Sequence, residues 1–154
     1  MTRNTSDRKT VLFCGPIDRP LNSGRYMISG MQQIGFEVIG YDYRSHNNYE
    51  KDLMDIVRSK KPDYIFTLKG EKLSPQLIAD FKKNGCTTIL WITTSIIEDW
   101  MPAFAKAHDY VVTNTDNIKT LFTEKGIESV KWVHQGFAPE FFGITGQQSD
   151  KNKL

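Results

Sequence analysis

The stretch from Tyr64 to Thr93 reads YIFTLKGEKLSPQLIADFKKNGCTTILWIT, and its pattern decides the fold class. Apolar and β-branched runs stand at both of its ends, which is typical of buried strands. Ser74 followed by Pro75 is typical of a helix start, because serine caps free backbone N–H groups and proline fits the first turn. Gly85 can take the left-handed conformation that ends a helix. We therefore predict a strand, a helix and a second strand in succession.

The same alternation extends in both directions along the chain. Three times a helix-like segment ends at a glycine and a strand-like run follows, in the stretches IGFEV, NGCTTI and KGIESV. Runs such as YIFTL and TILWI are apolar at successive positions, as a sheet covered on both sides requires. We predict an α/β fold, namely a single Rossmann-like, doubly wound, mainly parallel sheet of about six strands with helices on both faces. The predicted strands are Thr10–Gly15, Glu37–Asp42, Tyr64–Leu68, Thr88–Thr93, Tyr110–Thr113 and Val130–His134.

Two of the predicted helices carry further boundary signals. A helix after Thr115 is predicted to end at Gly126. Ser95 and Glu98 have the spacing of a capping box, in which two side chains satisfy backbone N–H groups at a helix start. Pro102 follows soon after, so this helix is predicted to be short or to restart there.

Length and charge are those of an ordinary globular domain. The 154 residues suit one domain, which we predict at 9–143, with a flexible tail at 1–8 and a disordered tail or the start of an interdomain linker at 144–154. The net charge of +2 is too weak to predict a nucleic-acid partner. No apolar run approaches the roughly 20 residues that cross a bilayer, and no secretory signal begins the chain. We expect a cytoplasmic protein without a cofactor, and the oligomeric state stays open.

Ligands of open α/β sheets bind beyond the carboxyl ends of the strands, and this rule selects five segments. The first is the long loop after the first predicted strand. Its backbone N–H groups and arginines suit a phosphate, a carboxylate or sugar hydroxyls, and the alternative is a plain loop before a capped helix. Its candidate ligand-binding residues are Gly15, Arg19, Asn22, Ser23, Gly24 and Arg25.

The other four segments follow later strands. Lys69 can meet an anion after the third strand, although a solvated charged turn is the simpler interpretation. After the fourth strand, hydroxyl groups can bind a polyol and Trp100 can stack on a sugar ring; the alternative is a helix cap with a buried tryptophan. Asn114 is more simply a helix cap. His134, followed by Gly136, is placed for acid–base or hydrogen-bonding work, although a histidine satisfied by backbone groups is the simpler interpretation. The hydroxyl-bearing candidates are Thr93, Thr94 and Ser95.

Several established motifs are missing from the sequence. The glycines of the first loop are too far apart for the dinucleotide fingerprint, and neither a P-loop lysine nor a G-x-S-x-G elbow is present. No His/Cys/Asp cluster has metal-ligand spacing. Cys14-Gly15 and Leu68-Lys69 stand where a phosphoacceptor receiver domain needs acidic side chains. A nucleoside deoxyribosyltransferase would need a Gly-Thr-x-x-Glu stretch, which the chain lacks.

The stretch VKWVHQGFAPEFF, with Gly136, Pro139 and Phe142, resembles the close of the N-terminal domain in GT-B glycosyltransferases of the spore-maturation type. The stretch DYVVTN from Asp109 resembles the fifth strand of that family, and ILW resembles its fourth, where a tryptophan recurs. The family often places an aspartate just after that tryptophan, where this chain has Thr93 and its neighbours.

The resemblance implies a function divided between two domains. In that family the N-terminal domain shapes the acceptor side, the C-terminal domain binds the nucleotide sugar, and transfer occurs between them. We therefore expect an acceptor-side domain that is inactive on its own. Its expected partners are an acceptor molecule, which is a sugar, a glycan or a protein, and a missing donor-binding domain. Asp18 and His134 are the candidate general bases. A free-standing Rossmann-like module that binds a small ligand or a protein without catalysis is the alternative.

Overall fold

A computed structural model describes residues 8–20, 22–134 and 136. They form a six-stranded sheet with five helices, and every strand pairing is parallel. The prediction of an α/β, Rossmann-like, doubly wound fold is confirmed. No helix within these ranges is long and apolar enough to cross a membrane. The elements are β1 (Thr10–Cys14), α1 (Ser23–Gln33), β2 (Glu37–Tyr41), α2 (Tyr49–Lys60), β3 (Tyr64–Leu68), α3 (Pro75–Lys83), β4 (Thr87–Ile92), α4 (Met101–Ala107), β5 (Tyr110–Thr113), α5 (Asp116–Glu124) and β6 (Val130–Trp132).

The strands lie in the order β2-β1-β3-β4-β5-β6. Phe13 of β1 pairs with Phe66 of β3, which in turn pairs with Ile89 of β4. The chain builds β2 on one side of β1 and all later strands on the other side. The order therefore reverses between β1 and β3, and ligands of such sheets bind beside the carboxyl ends at this switch point.

All six predicted strands are found, with small differences at their ends. β3 and β5 match the predicted bounds, whereas β1, β2, β4 and β6 end slightly earlier. At the end of β2, the carboxylate of Asp42 accepts hydrogen bonds from the N–H groups of Ile17 and Asp18, so this residue anchors a loop instead of extending the strand. Residues 137–143 of the predicted domain and the predicted tails, apart from Arg8, lie outside the described residues.

The predicted glycine junctions share one hydrogen-bond pattern. After α3, Gly85 has a φ of 85°, and its N–H donates to the carbonyl three residues before it at 2.9 Å. The N–H of Cys86 donates to the carbonyl of Phe81 at 3.3 Å. These two bonds define a Schellman motif, and equivalent pairs of bonds close α1 and α5 at their glycines. The sequence pattern thus predicts both the end of a helix and the entry into the next strand.

The two faces of the sheet are covered unequally. α1 packs Met27 and Ile28 against β1 and β3, whereas α2, α3, α4 and α5 pack on the opposite face. On the α1 side, Ile89 and Trp91 of β4 are only half-buried, and Tyr110 of β5 is 50% exposed. Helices therefore lie on both faces, as predicted, but one face carries α1 alone in the part of the chain that the structure describes.

Aspartates tie neighbouring strands together at the amino edge of the sheet. Asp109 accepts hydrogen bonds from the N–H of Thr88 at 2.8 Å and from its hydroxyl at 2.9 Å, and pairs with Lys82 at 2.8 Å. Burial opposes ionisation of Asp109, but these contacts outweigh it and lower the pKa of the carboxyl. Asp63 likewise accepts from the N–H of Thr10 at 2.8 Å. The aspartate of the DYVVTN stretch therefore has a structural role at the edge opposite the predicted ligand site.

α4 begins at Met101, so the predicted capping box of Ser95 and Glu98 is wrong. The carboxylate of Glu98 accepts a hydrogen bond from the indole N–H of Trp100 at 3.0 Å instead. Pro102 stands in the first turn, where its missing N–H is harmless. The helix has seven residues and is short, as predicted.

Candidate functional site

A cavity of about 310 Å³ opens at the carboxyl ends of β3 and β4, beside the switch point of the sheet. We call it the edge cavity. It brings together four sequence-predicted ligand residues with cationic, hydroxyl and aromatic side chains, Lys69, Thr93, Thr94 and Trp100. The remaining lining residues are Arg44, Glu71, Ile92, Glu98 and Met101.

The loop after β3 is held in place by the buried Tyr43. The Tyr43 hydroxyl accepts a hydrogen bond from the N–H of Gly70 at 2.9 Å. Its one proton is shared between two acceptors, Glu71 Oε2 at 2.9 Å and the Leu68 carbonyl at 3.1 Å. Burial and the Glu71 carboxylate raise the pKa of Tyr43, so the phenol keeps its proton and remains a donor. A single buried side chain thereby fixes three successive parts of the loop.

The backbone of this loop is unusual at Lys69 and Gly70, whose φ angles are 71° and 90°. Left-handed backbone is uncommon for a residue other than glycine, and such strain concentrates at ligand sites. The N–H of Lys69 donates to the Trp91 carbonyl at 3.0 Å, which attaches the loop to β4. A Cβ on Gly70 would lie 2.3 Å from a ring carbon of Phe104, so the loop also packs directly on α4.

Glu71 and Arg44 form an ion pair at the wall of the edge cavity, with Nε 2.5 Å from Oε1. Burial alone would raise the pKa of the Glu71 carboxyl. Hydrogen bonds from Arg44, from its own backbone N–H and from Tyr43 outweigh burial and hold that pKa below its ordinary value. Glu71 is therefore ionised and largely committed to its partners.

Trp100 supplies the aromatic wall of the edge cavity. Its indole N–H donates a hydrogen bond to Glu98, and its ring packs against that of Phe104 with the centroids 5.7 Å apart. The side chain is half-buried, so part of the ring remains accessible. Thr94 accepts a hydrogen bond from the N–H of Ile96 at 3.2 Å, whereas the exposed Ser95 does not line the cavity.

The loop after β1 is closed by the protein's own contacts. The N–H groups of Ile17 and Asp18 lie 2.7 and 3.2 Å from the Asp42 carboxylate that accepts their hydrogen bonds. A Cβ on Gly15 would lie 2.8 Å from Leu68, and one on Gly24 would lie 2.4 Å from the Pro16 carbonyl oxygen. The two glycines therefore permit close packing, and the first turn of α1 is covered by the loop before it.

The remaining candidates of this loop lie on the surface or at the helix start. Arg19 and Arg25 are exposed, and the exposed Asp18 accepts a hydrogen bond from the Ser45 hydroxyl. Asn22 is the N-cap of α1, but its side chain makes no capping hydrogen bond. Ser23 is the first residue of the helix. None of these side chains lines the edge cavity.

His134 and Gly136 lie beyond β6, at the far side of the sheet. His134 is exposed, and its ring meets Trp132 edge-on with centroids 4.2 Å apart. Because three strands separate β1 from β6, their carboxyl ends are about 19 Å apart at the usual strand spacing. The structure therefore does not bring Asp18 and His134 together. Asn114, after β5, accepts from the hydroxyl of Thr115 at 3.3 Å.

Three charged lining residues, Arg44, Glu71 and Glu98, were not predicted from the sequence. Arg44 follows β2, and the carboxyl-end rule covers β2 as well as the other strands. Applied there, it would have drawn attention to Tyr43 and Arg44. The pairing of Arg44 with Glu71 spans 27 residues and follows from the tertiary structure alone.

Comparison with known proteins assigns this chain to no family. No protein-family model matches the sequence, and no curated protein matches it. Pro139 and Phe142, which carry part of the glycosyltransferase resemblance, lie outside the described residues. Within the described residues, no three His, Cys, Asp or Glu side chains are grouped so as to hold a metal ion.

Proposed function

We propose that this domain binds a sugar or glycan acceptor in the edge cavity and serves as the acceptor-side domain of a glycosyltransferase. The observation that carries the proposal is the combination of Trp100 with hydroxyl and charged side chains in one cavity at the carboxyl edge. Its volume of about 310 Å³ stands at the small end of ligand sites, which suits one sugar unit.

The lining matches the two kinds of surface that a sugar presents. The C–H face of a pyranose is apolar and packs on an accessible aromatic ring, here Trp100. Its hydroxyl groups both donate and accept hydrogen bonds. Thr93 and Thr94 can do either, Glu98 accepts, and Lys69 donates.

The closed first loop favours the acceptor side over the donor side. Dinucleotide-binding folds hold a diphosphate at the first turn of the helix after β1. Here Pro16 packs against that turn at Gly24, and the N–H groups of Ile17 and Asp18 already donate to Asp42. We therefore assign nucleotide-sugar binding to a separate domain, as the resemblance implies.

For the transfer step we propose Glu98 as a further candidate general base. Glu98 lines the edge cavity, whereas Asp18 and His134 do not. A base must reach the acceptor hydroxyl within hydrogen-bond distance, so its position in the cavity favours Glu98.

Isothermal titration calorimetry with a panel of monosaccharides and disaccharides tests the proposal. We expect saturable binding of at least one sugar, abolished by Trp100→Ala and retained by Trp132→Ala, whose target is a 40% exposed tryptophan on β6. Nucleotide sugars should show no added affinity from the nucleotide. Tight binding of a nucleotide sugar, or no sugar binding at all, would contradict the proposal.

A small-ligand module without catalysis is the second candidate function. It is favoured by the positions of Asp18 and His134, the two alternative bases predicted from the sequence, because neither side chain lines the edge cavity. The two functions separate when a donor-binding domain and a nucleotide sugar are supplied, because only the glycosyltransferase domain then supports transfer to the bound sugar.

A further inference from the structure

We infer that the ligand of the edge cavity carries a negatively charged group, a carboxylate or a phosphate, that is bound by Lys69. This inference rests on the proposed function and specifies the class of sugar that the same site takes. It comes from the hydrogen-bonding capacity that remains unused in the cavity.

The acidic side chains of the cavity already have partners. Glu71 accepts from Arg44 at 2.5 Å and from Tyr43 at 2.9 Å. Glu98 accepts from the Trp100 indole through Oε2 at 3.0 Å, and its other oxygen serves the acceptor hydroxyl in the proposed transfer. Arg44 is likewise paired, so the charges of Arg44 and Glu71 neutralise each other.

Lys69 differs from these residues. Its ammonium group makes no ion pair or hydrogen bond with any residue that the structure describes, although it lines the same cavity. The nearby Lys72, by contrast, donates to the carbonyl of Arg44 at 3.4 Å. Three N–H donors of Lys69 therefore remain for a ligand, and an ionised acceptor satisfies them best.

The backbone gives a second reason to regard Lys69 as a binding residue. It holds a left-handed conformation, with φ at 71°, directly before Gly70 and directly after the end of β3. Glycine or asparagine would adopt this conformation more easily. Tyr43 on Gly70 and the Trp91 carbonyl on Lys69 fix the loop from both sides. The backbone from which the Lys69 side chain projects is therefore held in place beside the cavity.

The experiment compares glucose, glucuronate, glucose 6-phosphate and inorganic phosphate as ligands in calorimetric titrations at low salt. We expect at least one anionic sugar to bind about tenfold more tightly than glucose, the ratio that one charged hydrogen bond supplies. Lys69→Met should remove this preference and Lys69→Arg should retain it. Lys106→Met, which removes an exposed charge from the last turn of α4, is the matched control and should change nothing.

The outcomes separate the two levels of the proposal. Equal binding of glucose and both anionic sugars, unaffected by Lys69→Met, overturns the inference and leaves the sugar site standing. Binding of inorganic phosphate without any sugar, lost in Lys69→Met, overturns the proposed function while anion recognition stands. A preference for glucuronate over glucose 6-phosphate assigns the group as a carboxylate, and the reverse assigns it as a phosphate. Thermal unfolding of each variant confirms that it folds.

Discussion

Gly70→Ala probes the loop that forms the wall of the edge cavity. Gly70 has a φ of 90°, and a Cβ there would lie 2.3 and 2.7 Å from two ring carbons of Phe104. Phe104 is fully enclosed between Trp100 and His108, so its ring has little room to move. The left-handed backbone costs alanine about 1–2 kcal/mol and overpacking about 1–3 kcal/mol more. We expect the free energy of unfolding to fall by about 2–5 kcal/mol.

Gly85→Ala is the matched control for this substitution. Gly85 has a similar φ of 85°, but a Cβ there meets nothing within 4 Å. Only the backbone term of about 1–2 kcal/mol should appear. Urea unfolding followed by circular dichroism measures both variants, provided the slope with denaturant is unchanged. Equal losses in the two variants would refute the packing of Gly70 on Phe104, and with it the rigid placement of Lys69 and Glu71.

Two further predictions concern the core. Burial lowers the pKa of His108 from 6.5 to about 4. The unfolded chain therefore binds the proton more readily than the folded chain does. The free energy of unfolding should fall by about 3 kcal/mol as the pH drops from about 6.5 to 4. Urea unfolding at several pH values in this range measures the fall. In His108→Gln this part of the pH dependence should vanish. An unchanged pH dependence in this variant would contradict the attribution to His108. Leu90→Ala should lower the free energy of unfolding by about 3 kcal/mol, because Leu90 is fully buried. Ile89→Ala should lower it by about half as much, because Ile89 lies on the half-buried face of the same strand. Equal losses in urea unfolding would mean that the α1 side of the sheet is covered at β4 as fully as the opposite side.

Local chemistry explains why most of the fold could be predicted. The glycine junctions typified by Gly85 place a left-handed residue and two capping hydrogen bonds within a span of six residues. Ser74 caps α3 by accepting from the N–H of Leu77 at 3.2 Å, as its position before Pro75 indicates. Such signals need no information from distant parts of the chain.

Features that depend on tertiary packing were harder to predict. The capping box of Ser95 and Glu98 has the right spacing, but Glu98 bonds the indole of Trp100 instead. The strand order is not written in any local segment, so the separation of Asp18 from His134 could not be foreseen. The unequal covering of the two faces follows from the same order, since right-handed crossovers put α2 to α5 on one side.

Four of the nine residues that line the candidate site were predicted from the sequence. The carboxyl-end rule selects Lys69, Thr93, Thr94 and Trp100, and the structure places all four around one cavity. The rule also selects residues of the first loop, where Gly15 and Gly24 prove to be packing glycines. A glycine at a strand end has the same appearance in sequence whether it admits a ligand or a neighbouring side chain.

The indole signals of a ¹H–¹⁵N NMR spectrum test the proposed binding of a sugar in the edge cavity most directly. The chain has three tryptophans: Trp100 at the edge cavity, Trp91 of β4 on the α1 side of the sheet, and Trp132 on β6. As a binding sugar is titrated, the Trp100 indole signal should shift saturably while that of Trp132 stays fixed. A saturable shift of Trp132 with Trp100 unchanged, or no indole shift with any sugar at saturating concentration, would contradict the account.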